Sequence, residues 1–351
     1  MSDLNNPSTT NGNAQTATRL LAKQSIHPIG LGCMGMSEFY GASDDAESLA
    51  TLHAAVDLGV QHFDTADTYG FGHNESLLGQ FLGELTGATR RRLIVATKFG
   101  IVRQEGRYER RIDNSDAYVR QACEASLRRL GVERIDLYYC HRRDPSVPIA
   151  DLMGSLAQLV KEGKIAAIGL SEVSAETLRE AHAVHPVAAL QSEYSLWERG
   201  AETDLLPTAQ AMGTAFVAYS PLGRAFLTDA PPQVGELADN DFRRALPRFN
   251  GEAGDHNRQL QERLSSLANA VGASTASLAL AWMLHRQPHV LPIPGTRRRR
   301  HLQSNVEAAA LALSPETLAT LDQLFTLGAA QGERYPDAGW AGIETARDGR
   351  A

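Results

Sequence analysis

Four ionisable residues follow short apolar, strand-like runs in this chain, and their types suit proton donation to an oxygen. Gln61-His62-Phe63-Asp64 opens into Thr65-Ala66-Asp67-Thr68-Tyr69-Gly70, Leu93-Ile94-Val95-Ala96-Thr97 runs into Lys98, and Ile135-Asp136-Leu137-Tyr138-Tyr139-Cys140 delivers His141. A free phenol has a pKa of about 10 and is a poor acid at neutral pH. A nearby ammonium lowers that pKa, and a carboxylate holds the ammonium in place. Tyr69, Lys98 and Asp64 supply those three groups, and His141 suits orienting a carbonyl or sharing in proton donation. The chemistry implied is protonation of a carbonyl oxygen during its reduction. Each residue alone reads as packing or as a solvated strand end, but four at the same end of three neighbouring strands are hard to attribute to chance.

The elements that must position them alternate along the chain. Strands are expected at Ile29–Cys33, Gln61–Asp64, Leu93–Thr97, Ile135–Cys140, Ile165–Leu170, Ala188–Gln191, Ala215–Tyr219 and Val290–Ile293. Amphipathic helices are expected between them at Asp45–Leu58, Glu75–Leu82, Asp116–Leu130, Ile149–Glu162, Ala175–Val184, Leu205–Met212 and Ser274–Arg286. Gly59, Gly131 and Gly163 each read as a left-handed helix stop, and Ser314-Pro315-Glu316 as a capped helix start. Eight strands alternating with helices imply a parallel sheet, either closed as a (β/α)8 barrel or open and doubly wound. The first βα turn, Cys33-Met34-Gly35-Met36-Ser37, lacks the G-x-G-x-x-G fingerprint of the open dinucleotide fold. Chemistry-bearing residues also end many different strands, as they do in barrels. The expected fold is therefore α/β: a single-domain (β/α)8 TIM barrel with an N-terminal hairpin and long loops at the C-terminal mouth. The barrel is placed at residues 19–335, between a disordered tail at 1–18 and a C-terminal tail at 336–351. Leu222–Arg258, rich in Pro and Gly, reads as one long irregular loop.

Composition narrows the classes. With 351 residues, 43% hydrophobic and 21% charged, the chain can bury a core of ordinary size. A net charge of −7 offers no global attraction to nucleic acid or to an anionic membrane. No apolar run approaches the ~20 residues of a membrane span, and residues 1–18 have no signal-peptide core. Cys33, Cys123 and Cys140 are too few and scattered for a disulfide framework, and they fit a cytoplasmic protein. Cys140 and His141 are adjacent, so on a strand they point to opposite faces and do not form a nucleophile pair. No His or Cys stands at ligand spacing beside Asp64 and Asp67, so no metal is expected.

A second cluster lies past the last strand, in Gly295-Thr296-Arg297-Arg298-Arg299-Arg300-His301-Leu302-Gln303-Ser304-Asn305. A helix begins inside it, where backbone N–H groups and the helix dipole favour an anion. Arginines at a helix start oppose that dipole unless an anion lies between them. A ribose 2′-phosphate is the anion that accounts for them, which favours NADPH over NADH.

These motifs resemble the aldo-keto reductase family from about Arg19 to Tyr335. The resemblance rests on Gly30-Leu31-Gly32-Cys33-Met34-Gly35-Met36-Ser37, Phe63-Asp64-Thr65-Ala66-Asp67-Thr68-Tyr69-Gly70, Ala96-Thr97-Lys98, Asp136-Leu137-Tyr138-Tyr139-Cys140-His141, Gly169-Leu170-Ser171-Glu172, Ala218-Tyr219-Ser220-Pro221-Leu222-Gly223-Arg224 and Pro292-Ile293-Pro294-Gly295-Thr296. The first and fifth are similar to the branch holding pyridoxal reductase-like and general aldehyde reductases. The resemblance implies an NADPH-dependent enzyme that reduces aldehydes or ketones, with a small-molecule carbonyl substrate and no Rossmann fold. It implies a catalytic tetrad of Asp64, Tyr69, Lys98 and His141, with Tyr69 as the proton donor. Ser171 and Gln191 match residues that hold the nicotinamide carboxamide, and Tyr219 matches the aromatic that stacks on the ring. Ser220, Pro221, Leu222, Gly223 and Arg224 match a loop over the pyrophosphate, where Gly223 permits close backbone approach. Gly295, Thr296, Arg297 and Asn305 match the adenosine end, with Arg297 on phosphate and Asn305 on adenine, while His301 stands at a position there where the family often has Arg, Gln or Tyr and Ser304 where it usually has Glu or Gln. Glu172 replaces the family's usual Asn, and an ionised Glu can accept hydrogen bonds but not donate them. Phe39, Tyr40, Trp197 and Tyr335 are candidates for the substrate pocket. Family members that act as cofactor-sensing channel subunits supply an alternative reading. An NADP-dependent alcohol dehydrogenase running the same reaction backwards is another.

Overall fold

The structure is a computed structural model that describes residues 18–104 and 110–344. The expected N-terminal tail therefore lies, residue 18 apart, outside the described residues. The first two strands, β1 (Arg19–Leu21) and β2 (Gln24–Ile26), pair antiparallel as a hairpin. Eight parallel strands follow: β3 (Leu31–Gly32), β4 (His62–Asp64), β5 (Ile94–Phe99), β8 (Leu137–Cys140), β9 (Ile168–Ser171), β10 (Val187–Glu193), β11 (Ala215–Tyr219) and β12 (Val290–Pro292). Between β5 and β8 lies a second hairpin of β6 (Ile101–Arg103) and β7 (Arg110–Ile112), which the sequence reading missed. The parallel strands pair in chain order. The seam closes where Gly30 N donates to Pro292 O at 3.0 Å and Gly32 bridges Gly295. A Cβ at Gly32 would stand 2.8 Å from the Ile293 carbonyl, so the closure needs glycine there.

Each barrel strand sends alternate residues inward and outward. Ile94, Ala96, Leu137, Tyr139, Ala189, Val217 and Leu291 face one another inside, and Leu21 and Ile26 of the β1–β2 hairpin pack with them. Phe63, Val95, Tyr138, Leu170, Leu190 and Phe216 face the helices. Gly169 is an inward residue, and a Cβ there would lie 2.3 Å from the Tyr139 ring. Gly169→Ala should therefore overpack the barrel and cost about 1–3 kcal/mol, read as a lowered urea midpoint with unchanged slope.

The helices Asp45–Asp57, His73–Glu84, Asp116–Leu130, Ile149–Lys161, Ala175–Val184 and Leu205–Ala211 form the outer layer. Gly59, Gly131 and Gly163 follow three of these helix ends with positive φ, as their placement in the sequence suggests. The expected loop at Leu222–Arg258 is irregular only to Asn250, because helix Gly251–Ala270 begins inside it. Gly251 and Gly254 mislead here. Leu260, Leu264 and Ala268 form a buried stripe at helical spacing, and a Cβ at Gly254 would meet the Phe249 carbonyl at 2.5 Å. Residues 336–344 of the expected C-terminal tail lie against the barrel, with Trp340 buried. Among the described residues no single helix is long and apolar enough to cross a membrane.

Candidate active site

The inward rows end at the carboxyl edge of the barrel in polar residues. Asp64 continues the row of His62, Lys98 that of Ile94 and Ala96, and His141 that of Leu137 and Tyr139. Lys98 is fully buried and donates from Nζ to Asp64 Oδ1 at 2.5 Å, to Thr65 O at 2.8 Å and to Tyr69 Oη at 3.3 Å. Tyr69 arrives from the short turn after β4, and its ring meets that of His141 edge-on at 5.7 Å. The four residues thus occupy one spot at the barrel mouth.

Their electrostatics depart from the sequence expectation in one respect. Burial and the Asp64 carboxylate push the Tyr69 phenol well above its ordinary value, against the opposing pull of the Arg142 guanidinium. A lowered phenol was expected; desolvation outweighs the neighbouring cations. Burial lowers the Lys98 ammonium, with Asp64 opposing. Burial, then Arg142, Lys98 and Arg110, hold the His141 imidazole well below its ordinary value, so it is neutral. Its Nδ1 has no hydrogen-bond partner among the described residues. Cys140 packs in the helix-facing core, on the opposite side of the strand from the His141 site, and burial pushes its thiol up to about 12.

A cavity of about 560 Å³ runs from this tetrad along the mouth. Ser171, Gln191, Tyr219, Ser220, Pro221, Leu222, Arg224, Gly295, Thr296, Arg297, His301 and Asn305 all line it. Gln191 Nε2 donates to Asp64 Oδ2 at 2.7 Å, which leaves its Oε1 for another donor. The Arg297 guanidinium donates to the carbonyls of Tyr40 and Ala42, tying that loop to the exit of β12. Gly223 is not on the cavity wall. Its φ is +55, and a Cβ would stand 2.5 Å from Trp197, so packing against that ring requires glycine there. Phe39, Tyr40 and Tyr335 line the cavity, whereas Trp197 lies under the loop, stacked on Phe226 at 4.3 Å.

Glu172 has a task that the sequence did not reveal. Its carboxylate accepts from Arg334 Nη2 at 2.7 Å, Glu193 N at 3.0 Å and Ser192 Oγ at 3.1 Å. Burial would raise it, but Arg334 and Arg142 hold it at about 2. Arg334 also donates to Glu193 Oε2 at 3.0 Å and to Tyr219 Oη at 2.8 Å. Tyr335 Oη lies 3.0 Å from Tyr219 Oη, and the Arg224 guanidinium lies over the Tyr335 ring. The segment around Arg334 is therefore fastened across the mouth by buried charges and fixes Tyr219 from behind. Arg142 was also missed. It directly follows His141, lines the cavity and donates from Nη1 to Ser171 Oγ at 3.2 Å.

Comparison with known proteins places the chain in a family. The model of the aldo/keto reductase family matches residues 28–325. The glycerol dehydrogenase AKR11B4 from Gluconobacter oxydans is 29% identical, with a TM-score of 0.80 over 88% of this chain and 95% of that one. An aldo/keto reductase from Klebsiella pneumoniae, solved with NADP and acetate, is 30% identical, with a TM-score of 0.68 over 88% of this chain and 95% of that one. AKR11C1 from Bacillus halodurans is 25% identical, with a TM-score of 0.73 over 89% of this chain and 97% of that one. With the eight-stranded barrel and the full span of the match, this chain belongs to the aldo/keto reductase family.

Proposed function

We propose that the chain reduces an aldehyde or ketone to an alcohol with NADPH, using Tyr69 as the proton donor. The observation that carries this reading is the contact of Lys98 Nζ with both Asp64 and Tyr69 at the floor of a cavity that also reaches the arginine-rich helix start. The residues fit the cofactor. Ser171 Oγ and the open Oε1 of Gln191 suit a carboxamide, Tyr219 offers a braced ring face, and helix Arg299–Glu307 begins with cations and free N–H groups. The similar Klebsiella pneumoniae structure, solved with NADP, supports the same choice. Bound there, NADPH supplies the hydride that reaches the carbonyl carbon.

The chain's own groups handle the oxygen. Neutral His141 and the Tyr69 hydroxyl hold it, and the Tyr69 Oη proton passes to it as negative charge develops. A phenol held above its ordinary value stays protonated, and an alkoxide is a far stronger base, so the transfer needs no lowered pKa. Lys98 stabilises the phenolate left behind, and Asp64 keeps Lys98 in place. The resemblance to pyridoxal reductase-like and general aldehyde reductases makes aldehydes the first substrates to assay. Similarity to a glycerol dehydrogenase favours, as a second reading, the reverse direction on alcohols.

The two directions differ in pH dependence. His141 is depressed and Tyr69 raised, so neither titrates between about pH 6.5 and 10, their ordinary values. Reduction kcat should show neither a Tyr69 nor a His141 limb across that range, while alcohol oxidation, which needs the phenolate as base, should rise with pH. A bell centred near neutrality for reduction would remove Tyr69 as donor. Replacing Arg297 and Arg298 together with Ala should weaken NADPH binding by about 10- to 100-fold and change NADH binding little, read by nucleotide fluorescence. Equal losses for both nucleotides would place the 2′-phosphate elsewhere.

A further inference from the structure

The chain carries a net charge of −7, yet seven arginines and only two aspartates line the cavity. Most of the charges near it are accounted for. Asp64 pairs with Lys98, Arg103 with Glu38, Arg243 with Asp241, and Arg224 with Glu193. Arg334 is shared by Glu172 and Glu193, which leaves that group of four balanced. Arg297 donates to loop carbonyls and, with Arg298, stands at the helix start assigned to the cofactor's 2′-phosphate.

Arg142 differs from these. It is buried, with 6% of its surface exposed, and forms no ion pair among the described residues. Nη1 donates to His141 O at 2.7 Å and to Ser171 Oγ at 3.2 Å, while among the described residues Nε finds no partner and Nη2 makes no hydrogen bond. A buried guanidinium without a carboxylate is costly unless something else supplies the counter-charge. Glu172 supplies part of it through space, but the carboxylate accepts hydrogen bonds from Arg334, Ser192 and the Glu193 N–H. The cation stands on the wall of the cavity beside His141, whose ring meets Tyr69, so the missing charge belongs within a few bonds of the reacting carbonyl.

We infer that Arg142 is a specificity-determining residue that receives an oxyanion, carboxylate or phosphate, carried by the carbonyl substrate and unchanged by the reaction. The inference rests on the proposed reductase function and names its substrate class. Nε is buried in the wall, so Nη2, which makes no hydrogen bond among the described residues, is the group that donates to an oxygen of such a substituent. The same contact fixes the carbonyl relative to Tyr69, since both ends of a short substrate are then held.

The test compares matched aldehydes with NADPH: succinic semialdehyde against butanal, and glyceraldehyde 3-phosphate against glyceraldehyde. Wild type should favour the charged member of at least one pair by about 10-fold or more in kcat/KM, and which pair it is separates carboxylate from phosphate. In Arg142→Gln that preference should fall by about 10- to 100-fold, chiefly through KM, and Arg142→Lys should keep part of it. Two wild-type ratios near unity would overturn the inference. So would an Arg142→Gln variant that loses charged and neutral substrates equally through kcat, since the arginine would then act on Tyr69. A weakened NADPH affinity with the preference intact would assign Arg142 to the cofactor and also overturn it. If Arg142→Gln does not fold by circular dichroism, the wild-type ratios decide. Should none of the four aldehydes oxidise NADPH, the reductase reading itself fails, a result distinct from unselective reduction.

Discussion

Tyr69→Phe should lower NADPH-dependent aldehyde reduction by about 10²- to 10⁴-fold in kcat, with NADPH affinity kept within a few-fold. The substitution removes one hydroxyl and keeps the ring that meets His141 edge-on. Lys98 loses one of its three acceptors but keeps Asp64 Oδ1 and Thr65 O, so the buried ion pair stays intact. Stability should therefore move little, and the loss of rate is a loss of proton donation. Stopped-flow mixing with NADPH, followed by aldehyde, separates binding from turnover. Normal turnover by the variant would mean that a water or His141 donates instead, and the role given to Lys98 would lose its purpose.

Arg334→Ala should be the most destabilising single change outside the tetrad. It removes a cation that touches both Glu172 and Glu193, each almost fully buried. Breaking a buried pair by deleting one partner costs about 3–5 kcal/mol, because the remaining charge is left without compensation. Arg224 still serves Glu193, so the burden falls on Glu172. Tyr219 also loses the donor to its hydroxyl, which should loosen the ring face offered to the cofactor and weaken NADPH binding. Urea unfolding gives the first quantity and nucleotide fluorescence the second. The pH dependence has a definite sign. Glu172 is held at about 2, below the ordinary carboxylate value, so its contribution is complete above about pH 4.5 and is lost as pH falls toward that lower value. A Glu172→Gln variant should show a shallower acid limb. An unchanged urea midpoint for Arg334→Ala would contradict the buried network.

The barrel was legible in the sequence because short apolar runs and helical stretches alternate, and each run is bounded by turn residues. Asp64, Lys98 and His141 were legible because each stands at the carboxyl end of an apolar, strand-like run, which the fold turns into the polar end of an inward row. What escaped has physical reasons. Arg142 lies two residues beyond the end of β8, where no periodicity says which way a side chain points. The Glu172–Arg334 pair joins residues 162 apart, and only closure of the barrel brings the irregular segment across the mouth. The raised phenol of Tyr69 depends on how completely the fold buries it, which residue types do not reveal. Gly223 was assigned to the ligand from its place in a motif and Trp197 was left between pocket lining and packing under the loop; the fold turns the two toward each other. Gly254 read as a loop residue because its use, close approach of a helix to Phe249, is a tertiary fact.

The central claim is hydride transfer from NADPH to a carbonyl carbon at the Tyr69 site. It is tested most directly with NADPH deuterated on one face of C4 of the nicotinamide, mixed with the wild-type chain and an aldehyde, the alcohol then being analysed by mass spectrometry. One of the two faces should deliver its deuterium to the alcohol carbon in step with loss of NADPH, and the opposite face none. NADPH consumption without deuterium in the alcohol, or no consumption with any aldehyde, would contradict the account.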